Sequence, residues 1–340
     1  MTKRLGKQTV KFQNPPSILS YAAIVGPKEG QGPLGEYFDQ VLNDDMFGEK
    51  SWEKAECKMM QEAIKLSMKK AKLTAEDINY IFAGDLLNQI ISSSFMAREI
   101  QIPYIGLFGA CSTMAESLSM AAVFIDGGFA DYAVAATSSH FSSAERQYRF
   151  PLELGQQRPP TSTWTVTGAG ATILGTASMG SGPYITHVTT GKVIDLGIKD
   201  QFNMGAAMAP AAADTIRAHF EDTGFEPKDY DLIISGDLGI IGVNLAKQLL
   251  KKMNIDISEI FTDCGIKIYD TEKQDTHAGG SGCGCSASVL NGYLIKEIIK
   301  GKYNRVLFVA TGALLSPIST LQGESIPSIA HAVTIQRTLE

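Results

Sequence analysis

Cys111 has the clearest chemical potential in this chain of 340 residues. It follows the apolar run Ile105 to Phe108 through a Gly-Ala step, and the residues after it have the apolar spacing of a helix. A thiol in the first turn of a helix lies near unpaired N–H groups, which favour the thiolate and lower its pKa. Cys111 is therefore a candidate nucleophile, with a small buried residue at a strand-to-helix turn as the alternative.

A nucleophilic thiol needs a nearby base, typically an imidazole, and donors for an oxyanion. His140 lies in the polar loop SSHFSS after a predicted strand, and His277 precedes the glycine-rich run 279–285. These two histidines are the candidate bases. We expect the other three to be structural, with His219 on a helix surface.

The glycine-rich run has other possible interpretations. No Lys follows it, so it is not a Walker loop, and its glycines are not spaced as in a dinucleotide-binding turn. Its cysteines, with Cys264 and His277, offer thiols and an imidazole to zinc, but zinc sites favour C-x2-C pairs over the C-x-C of Cys283 and Cys285. Five cysteines in all are an odd, sparse set typical of reduced thiols, which excludes a disulfide scaffold.

An internal repeat indicates how these residues are positioned. DINYIFAGDL at Asp77 to Leu86 resembles DYDLIISGDL at Asp229 to Leu238, and helix-like stretches precede both, at Ala55 to Lys72 and Met208 to Gly224. A second match, of helix then strand, begins at Cys111 and again at Cys285. We predict two duplicated halves, residues 16–177 and 182–340, that form one integrated unit after a basic arm, residues 1–15.

Short apolar strands that alternate with helices of 15 to 20 residues predict an α/β fold with largely parallel sheets. Ligand crevices in such folds form outside the carboxyl ends of strands. The two halves would bring corresponding strand ends together, and Cys111 lies at one of them. The sequence thus predicts a site between the halves.

Composition excludes several classes of protein. The net charge of −6 argues against a nucleic-acid-binding protein. No apolar run is long enough to predict a transmembrane helix, and the basic residues of the arm are not followed by the apolar segment of a secretory signal. The arm itself is expected either to be solvated or to rest on an anionic membrane.

Several motifs together resemble the thiolase and ketoacyl-synthase III superfamily. They are the Gly-Ala-Cys turn at Cys111, GAGATIL at Gly168 to Leu174, and HAGGSGCGCSAS before the last long helix. The resemblance covers nearly the whole chain. It implies a five-layered αβαβα fold of two duplicated halves with pseudo-twofold symmetry, usually dimeric, with the active cysteine at the position of Cys111.

Longer stretches, including LFGACSTMAES and QRPPTSTWTVTGAGA, resemble the stage V sporulation protein AD family of endospore-forming bacteria. This resemblance implies binding of dipicolinic acid, pyridine-2,6-dicarboxylate, and its loading into the developing spore. The implied partners are membrane proteins of the same stage V A operon. The implied location is the spore inner membrane, reached peripherally because no spanning segment is predicted.

The chain departs from the catalytic pattern of the superfamily. Where ketoacyl synthases of type III carry a His after a strand of the second half, this chain has Ser235-Gly236-Asp237. Where they carry an Asn before the last long helix, it has Gly282-Cys283. Loss of the base forfeits about 10²- to 10⁴-fold in rate. We therefore expect a binding protein without a catalytic cofactor, with a Cys111-dependent acyltransferase as the alternative.

A dianionic ligand needs cations or aimed N–H groups. Arg158 is a further candidate cation, and Ca²⁺ held by Asp237 is another means of charge compensation. Asp237 has a second interpretation, as the cap of the helix that starts near Ile240. We expect the ligand to contact Cys111, Ser138, His140, Arg146, Arg149, Gly236, Asp237, His277 and Cys283.

Overall fold

The computed structural model describes residues 3–148 and 158–339, in which short strands alternate with helices. The strands are β1 (Arg4–Leu5), β2 (Thr9–Lys11), β3 (Ser17–Val25), β4 (Gln40–Val41), β5 (Tyr80–Gly84), β6 (Tyr104–Gly106), β7 (Tyr132–Ser139), β8 (Trp164–Thr165), β9 (Gly168–Gly175), β10 (Tyr184–Thr189), β11 (Leu232–Ser235), β12 (Phe261–Asp263), β13 (Gly280–Ser281), β14 (Arg305–Ala313) and β15 (Ser328–Gln336). The helices are α1 (Pro27–Gly30), α2 (Trp52–Ala71), α3 (Ile91–Ile100), α4 (Thr113–Asp126), α5 (Phe141–Tyr148), α6 (Met204–Thr223), α7 (Gly239–Lys252), α8 (Cys264–Ile268), α9 (Cys283–Val289), α10 (Ile295–Ile299) and α11 (Pro317–Leu321).

One strand order occurs twice in the main sheet. Its path is β12–β11–β14–β15–β10–β3–β9–β7–β5–β6, so that β6–β5–β7–β9–β3 in the first half corresponds to β12–β11–β14–β15–β10 in the second. The parallel pairs occupy matching places, since β5 lies between β6 and β7 as β11 lies between β12 and β14. The carboxyl ends of these strands therefore meet near the centre of the molecule.

The helices form three layers around the strands. Helix α4 contacts β5 and β7 of the first half and β14 and β15 of the second, while α9 packs on β7 and β9. Helices α2 and α3 cover the outer side of the first half, and α6 and α7 cover that of the second. The predicted αβαβα layering is confirmed. No helix of the described residues is long and apolar enough to cross a membrane.

The predicted helices form, but their ends differ from the apolar spacing. Helix α2 begins at Trp52, before the predicted Ala55, because the Ser51 hydroxyl accepts a hydrogen bond from the Lys54 N–H and caps the helix. The helix after Cys111 begins at Thr113, preceded by a 3-10 turn over Ala110–Ser112. Helix caps and tight turns set these ends, and neither can be predicted from apolar spacing.

The basic arm is packed against the body. Strands β1 and β2 pair with each other, and β2 also pairs with β10. The Asp222 carboxylate accepts hydrogen bonds from three successive backbone N–H groups, of residues 7 to 9, and Lys3 forms a 2.8 Å ion pair with Asp126. The backbone of the arm is therefore held on the body, whereas Arg4, Lys7 and Lys11 are exposed.

His219 also differs from its prediction. It lies in the interior of α6, where its Nδ1 is 2.8 Å from the Thr189 hydroxyl and its Nε2 is 2.5 Å from the Tyr230 hydroxyl. The helix-surface expectation was wrong because α6 packs against the second half of the sheet, and its charged neighbours Arg217 and Glu221 face outward. His219 is structural, as predicted.

Candidate ligand site at Cys111

Cys111 lies at a strained turn that leads from β6 into α4. The residue before it, Ala110, has a left-handed φ of 51°, and the Ser112 N–H returns to the Gly109 carbonyl at 3.1 Å. The turn brings Cys111 to the carboxyl ends of the central strands, with 6% of its surface exposed. The thiol is thus held at the meeting point of the two halves, as the sequence predicts.

The partner of the thiol is Asp237, which follows β11. The Asp237 carboxylate accepts hydrogen bonds from the Thr311 hydroxyl at 2.7 Å and from the Gly282 N–H at 3.0 Å, and it lies close enough to Cys111 to raise the pKa of the thiol. The helix-cap interpretation of Asp237 is wrong, because Asp263 takes that role. The Asp263 carboxylate accepts the N–H groups of Leu238 and Gly239 at 2.9 and 3.0 Å at the start of α7.

The surroundings of Cys111 favour its protonated form. Burial raises the pKa of the thiol well above its ordinary value, and the nearby Asp237 carboxylate raises this pKa further. The prediction of a lowered pKa at a helix N-terminus is therefore wrong. The dipole of a helix end is a modest effect, worth at most about 2 kcal/mol, and burial of the thiol outweighs it here.

Ser138 and Cys283 lie together behind Cys111. The Cys283 thiol donates to the Ser138 carbonyl at 2.9 Å, while the Ser138 hydroxyl donates to the buried Glu56 carboxylate at 3.0 Å. Gly236 donates its N–H to Val309, and a Cβ added there would lie 3.1 Å from the Ser286 side chain. These residues support the turn around Cys111 through backbone and packing contacts.

The two candidate bases are engaged elsewhere. His140 is buried, with Nε2 2.8 Å from the Asp45 carbonyl and Nδ1 accepting the Ser142 N–H, and burial lowers its pKa. The His277 imidazole is partly exposed and lies 3.4 Å from the carboxylate of Asp275. Neither imidazole lines the space beside Cys111.

The two candidate arginines that the structure describes, Arg146 and Arg158, also do not line the space beside Cys111. Arg146 pairs with Glu53, lies over the Trp52 ring and faces a groove of about 1200 Å³ on the other side of α5. Arg158 forms a 2.8 Å ion pair with Asp275 and lies over the Trp164 ring. The remaining candidate, Arg149, lies outside the described residues.

A small cavity of about 30 Å³ opens beside Cys111. Glu145 and Tyr148 of α5 line one side of it, and neither was identified from the sequence because the predicted loop after β7 is a helix. Gly282 belongs to the glycine-rich run that the sequence did single out. The lining residues are Leu86, Ala110, Cys111, Ala144, Glu145, Tyr148, Thr165, Met204, Ser281, Gly282, Ala313 and Leu315.

The residues around Cys111 do not form a metal site by themselves. Ca²⁺ takes about six to eight oxygen ligands, whereas both Asp237 oxygens accept hydrogen bonds from protein groups. Within residues 3–148 and 158–339, no group of three or more His, Cys, Asp or Glu side chains is arranged to hold a metal ion. This finding disfavours both the zinc interpretation of the cysteines and a Ca²⁺ ion held by Asp237 alone.

Comparison with known proteins identifies the family. The model of the stage V sporulation protein AD family matches residues 6–336. The chain belongs to this family. Stage V sporulation protein AD of Bacillus subtilis (strain 168) is 48% identical over 335 residues, which cover 98% of each chain. The resemblance drawn from the sequence is confirmed, and the chain is a sporulation protein.

Solved structures with the same fold are enzymes. The 3-oxoacyl-[acyl-carrier-protein] synthase III of Aquifex aeolicus has a TM-score of 0.57 at 14% identity, over 94% of this chain and 99% of its own. The human mitochondrial 3-ketoacyl-CoA thiolase, solved in complex with CoA, has a TM-score of 0.61 at 12% identity, over 97% and 99%. Identities this low show the fold alone, which is the one predicted.

Proposed function

We propose that this member of the stage V sporulation protein AD family is not an enzyme but a binding protein, which takes dipicolinic acid or its calcium complex at Cys111. In this role it supports uptake of dipicolinic acid into the developing spore. The observation that carries the proposal is the partner of the thiol, which is the Asp237 carboxylate and not an imidazole. A protonated thiol beside a carboxylate can bind a ligand, but it lacks the base that condensation requires.

The size of the cavity sets a condition on binding. A cavity of about 30 Å³ has room for only a water or two, far less than a pyridine ring with two carboxylates. The ligand must therefore displace side chains of the wall, of which Tyr148 is the largest. Calcium enters this proposal as part of the ligand complex.

Isothermal titration calorimetry with dipicolinate, with and without Ca²⁺, tests the proposal. The wild-type chain is expected to give saturable binding. Cys111→Leu, which adds bulk beside the cavity, is expected to weaken binding at least tenfold, whereas Cys57→Leu in the outer groove is not. Both variants must keep the wild-type melting temperature, so that weaker binding does not reflect a loss of folding. Absence of binding to the wild type at millimolar ligand, with or without Ca²⁺, rules the proposal out.

The competing function is a Cys111-dependent acyltransferase, which the enzymatic neighbours of the fold favour. Intact-mass spectrometry after incubation with acyl-CoA thioesters distinguishes the two functions. We expect no acyl adduct on the wild-type chain. An adduct that disappears in Cys111→Ala supports the acyltransferase instead.

The proposal includes a homodimer, contacts with other membrane proteins of the stage V A operon, and peripheral association with the spore inner membrane. The exposed side chains of Phe95, in α3, and of Phe108, which follows the edge strand β6, support a contact between two copies. Light scattering of the purified chain measures the dimer. Fractionation of spores measures the association with the inner membrane.

A further inference from the structure

Two acids lie beside the thiol of Cys111 or its cavity, Asp237 and Glu145. Asp237 is completely buried, and the neighbouring strand β12 ends in Asp263, also completely buried. Glu145 lines the cavity itself and lies 3.4 Å from the Thr165 hydroxyl. No Lys or Arg lines this cavity among the described residues.

The ionisable side chains that lie near Asp237 on the surrounding elements are mainly acids and thiols. The turn before α4 contributes Cys111, α9 contributes Cys283 and Cys285, and β14 contributes only the Thr311 hydroxyl. The end of β12 contributes Asp263, and α8 contributes Cys264 together with Lys267, whose charge acts on Cys264. None of the described groups that act on Asp237 is a cation.

This arrangement conflicts with a doubly charged ligand. Both carboxyl groups of dipicolinic acid are ionised at neutral pH, because ordinary carboxyl pKa values lie near 4. An ionised Asp237 behind Cys111 would repel that dianion in a low-dielectric interior, where such repulsion is strongest. One proton on Asp237 removes its part of the repulsion and leaves Glu145 as the one described acid that lines the cavity.

We propose that the site takes its dicarboxylate ligand together with a proton held on Asp237, and that Cys111 connects this proton to the ligand. The inference rests on the proposed function. Solvent supplies the proton, and no covalent bond forms or breaks. The protonated Asp237 donates its O–H to the Cys111 sulfur, which frees the thiol S–H to donate to a ligand carboxylate at the cavity. Burial raises the pKa of Asp237, which favours the protonated form.

Calorimetry of dipicolinate binding from about pH 6 to about pH 8.5, in pairs of buffers with different ionisation enthalpies, tests the inference. Wild-type affinity is expected to fall as pH rises, approaching tenfold per pH unit where one proton is coupled, with proton uptake in the same range. Asp237→Asn places a neutral side chain of nearly the same shape at this position. It is expected to bind with an affinity independent of pH and without proton uptake.

Asp263→Asn is the matched control, because Asp263 is equally buried but faces the start of α7. It is expected to keep the proton uptake on binding, because Asp237 is still present. Wild-type affinity that is constant over this range, or a pH dependence that persists in Asp237→Asn, overturns the inference while the proposed function stands.

Absence of binding at every pH counts against the proposed function, and a ligand-free measurement then decides the inference. The infrared difference spectrum between the wild type and Asp237→Asn reports the C=O stretch of a protonated acid. Its presence near pH 6 and its loss at higher pH support the inference. Its absence throughout the range overturns it.

Discussion

Cys111 is at the position where the resemblance to the superfamily implies the active cysteine, but in this chain its surroundings favour the protonated thiol. The thiolate is the nucleophilic form of cysteine, and here burial and Asp237 both disfavour it. Burial is the larger of these two effects, and the Asp237 carboxylate adds to it. Substitution of that carboxylate can test its share.

Asp237→Asn is expected to make Cys111 more reactive. Removal of the carboxylate lowers the pKa of the thiol, and one unit of pKa is a factor of ten in thiolate at neutral pH. We expect alkylation of Cys111 by iodoacetamide at pH 8 to accelerate by roughly three- to tenfold. The rate follows from mass spectrometry of the Cys111 peptide, with the Cys57 peptide as internal reference. An unchanged rate at Cys111 would contradict the role assigned to Asp237.

The sequence predicted the place of the site residues better than their partners. Asp237 was identified as a carboxylate beside the position of a missing histidine, and it does meet Cys111. His140 was predicted at the correct sheet end, but its ring is held by the Asp45 carbonyl. That carbonyl belongs to an irregular segment without apolar periodicity, so the sequence gives no basis for predicting the contact.

Helix α9 shows how an element of small residues brings the two halves together. All of its side chains are buried, and its first turn lies directly against β7 and β9. A Cβ added at Gly284 would lie 2.6 Å from the Gly168 carbonyl oxygen and 2.8 Å from the Ser139 nitrogen. Only a residue without a side chain permits so close an approach of α9 to the backbone of β7 and β9.

Gly284→Ala is therefore expected to destabilise the fold by about 3 kcal/mol or more, at the upper end of overpacking effects, because backbone atoms cannot yield as a side chain can. Denaturant unfolding measures the loss. Gly128→Asn is the control, since Gly128 has a left-handed φ of 75° and no atom within 4 Å. Asn tolerates that conformation, so this change is expected to cost about 0.5 kcal/mol. Equal effects of the two substitutions would refute the close contact.

The duplicated halves account for a matched pair of buried acids among the described residues. Strand ends from both halves converge inside the protein, and the polar side chains that follow them are enclosed. Asp85 and Asp237 follow corresponding strands, β5 and β11, and both are buried. The repeat in the sequence predicted this correspondence, but not the enclosure, which requires the helix layers on both sides.

Burial shifts the pKa values of histidines and of acids in opposite directions. Burial lowers the pKa of three histidines to about 4, 3 and 4, so the stability they contribute is lost as pH falls below their ordinary value of 6.5. They are His187, His219 and His331. Burial raises the pKa of Asp263 to about 7 from an ordinary 3.8, so the native state holds a proton that the unfolded chain has released. Its contribution to stability is lost as pH rises through this window.

At pH 6.5 the histidines of the unfolded chain are still half protonated, and the loss of these protons at higher pH raises stability equally in two chains that share the histidines. We therefore expect the stability of the wild type to fall relative to that of Asp263→Asn between pH 5 and pH 7, by roughly 1.4 kcal/mol per pH unit for the one proton that only the native state retains. Differential scanning calorimetry at constant ionic strength measures both chains. A difference in melting temperature that stays constant over this range would show that Asp263 is ionised in the native state.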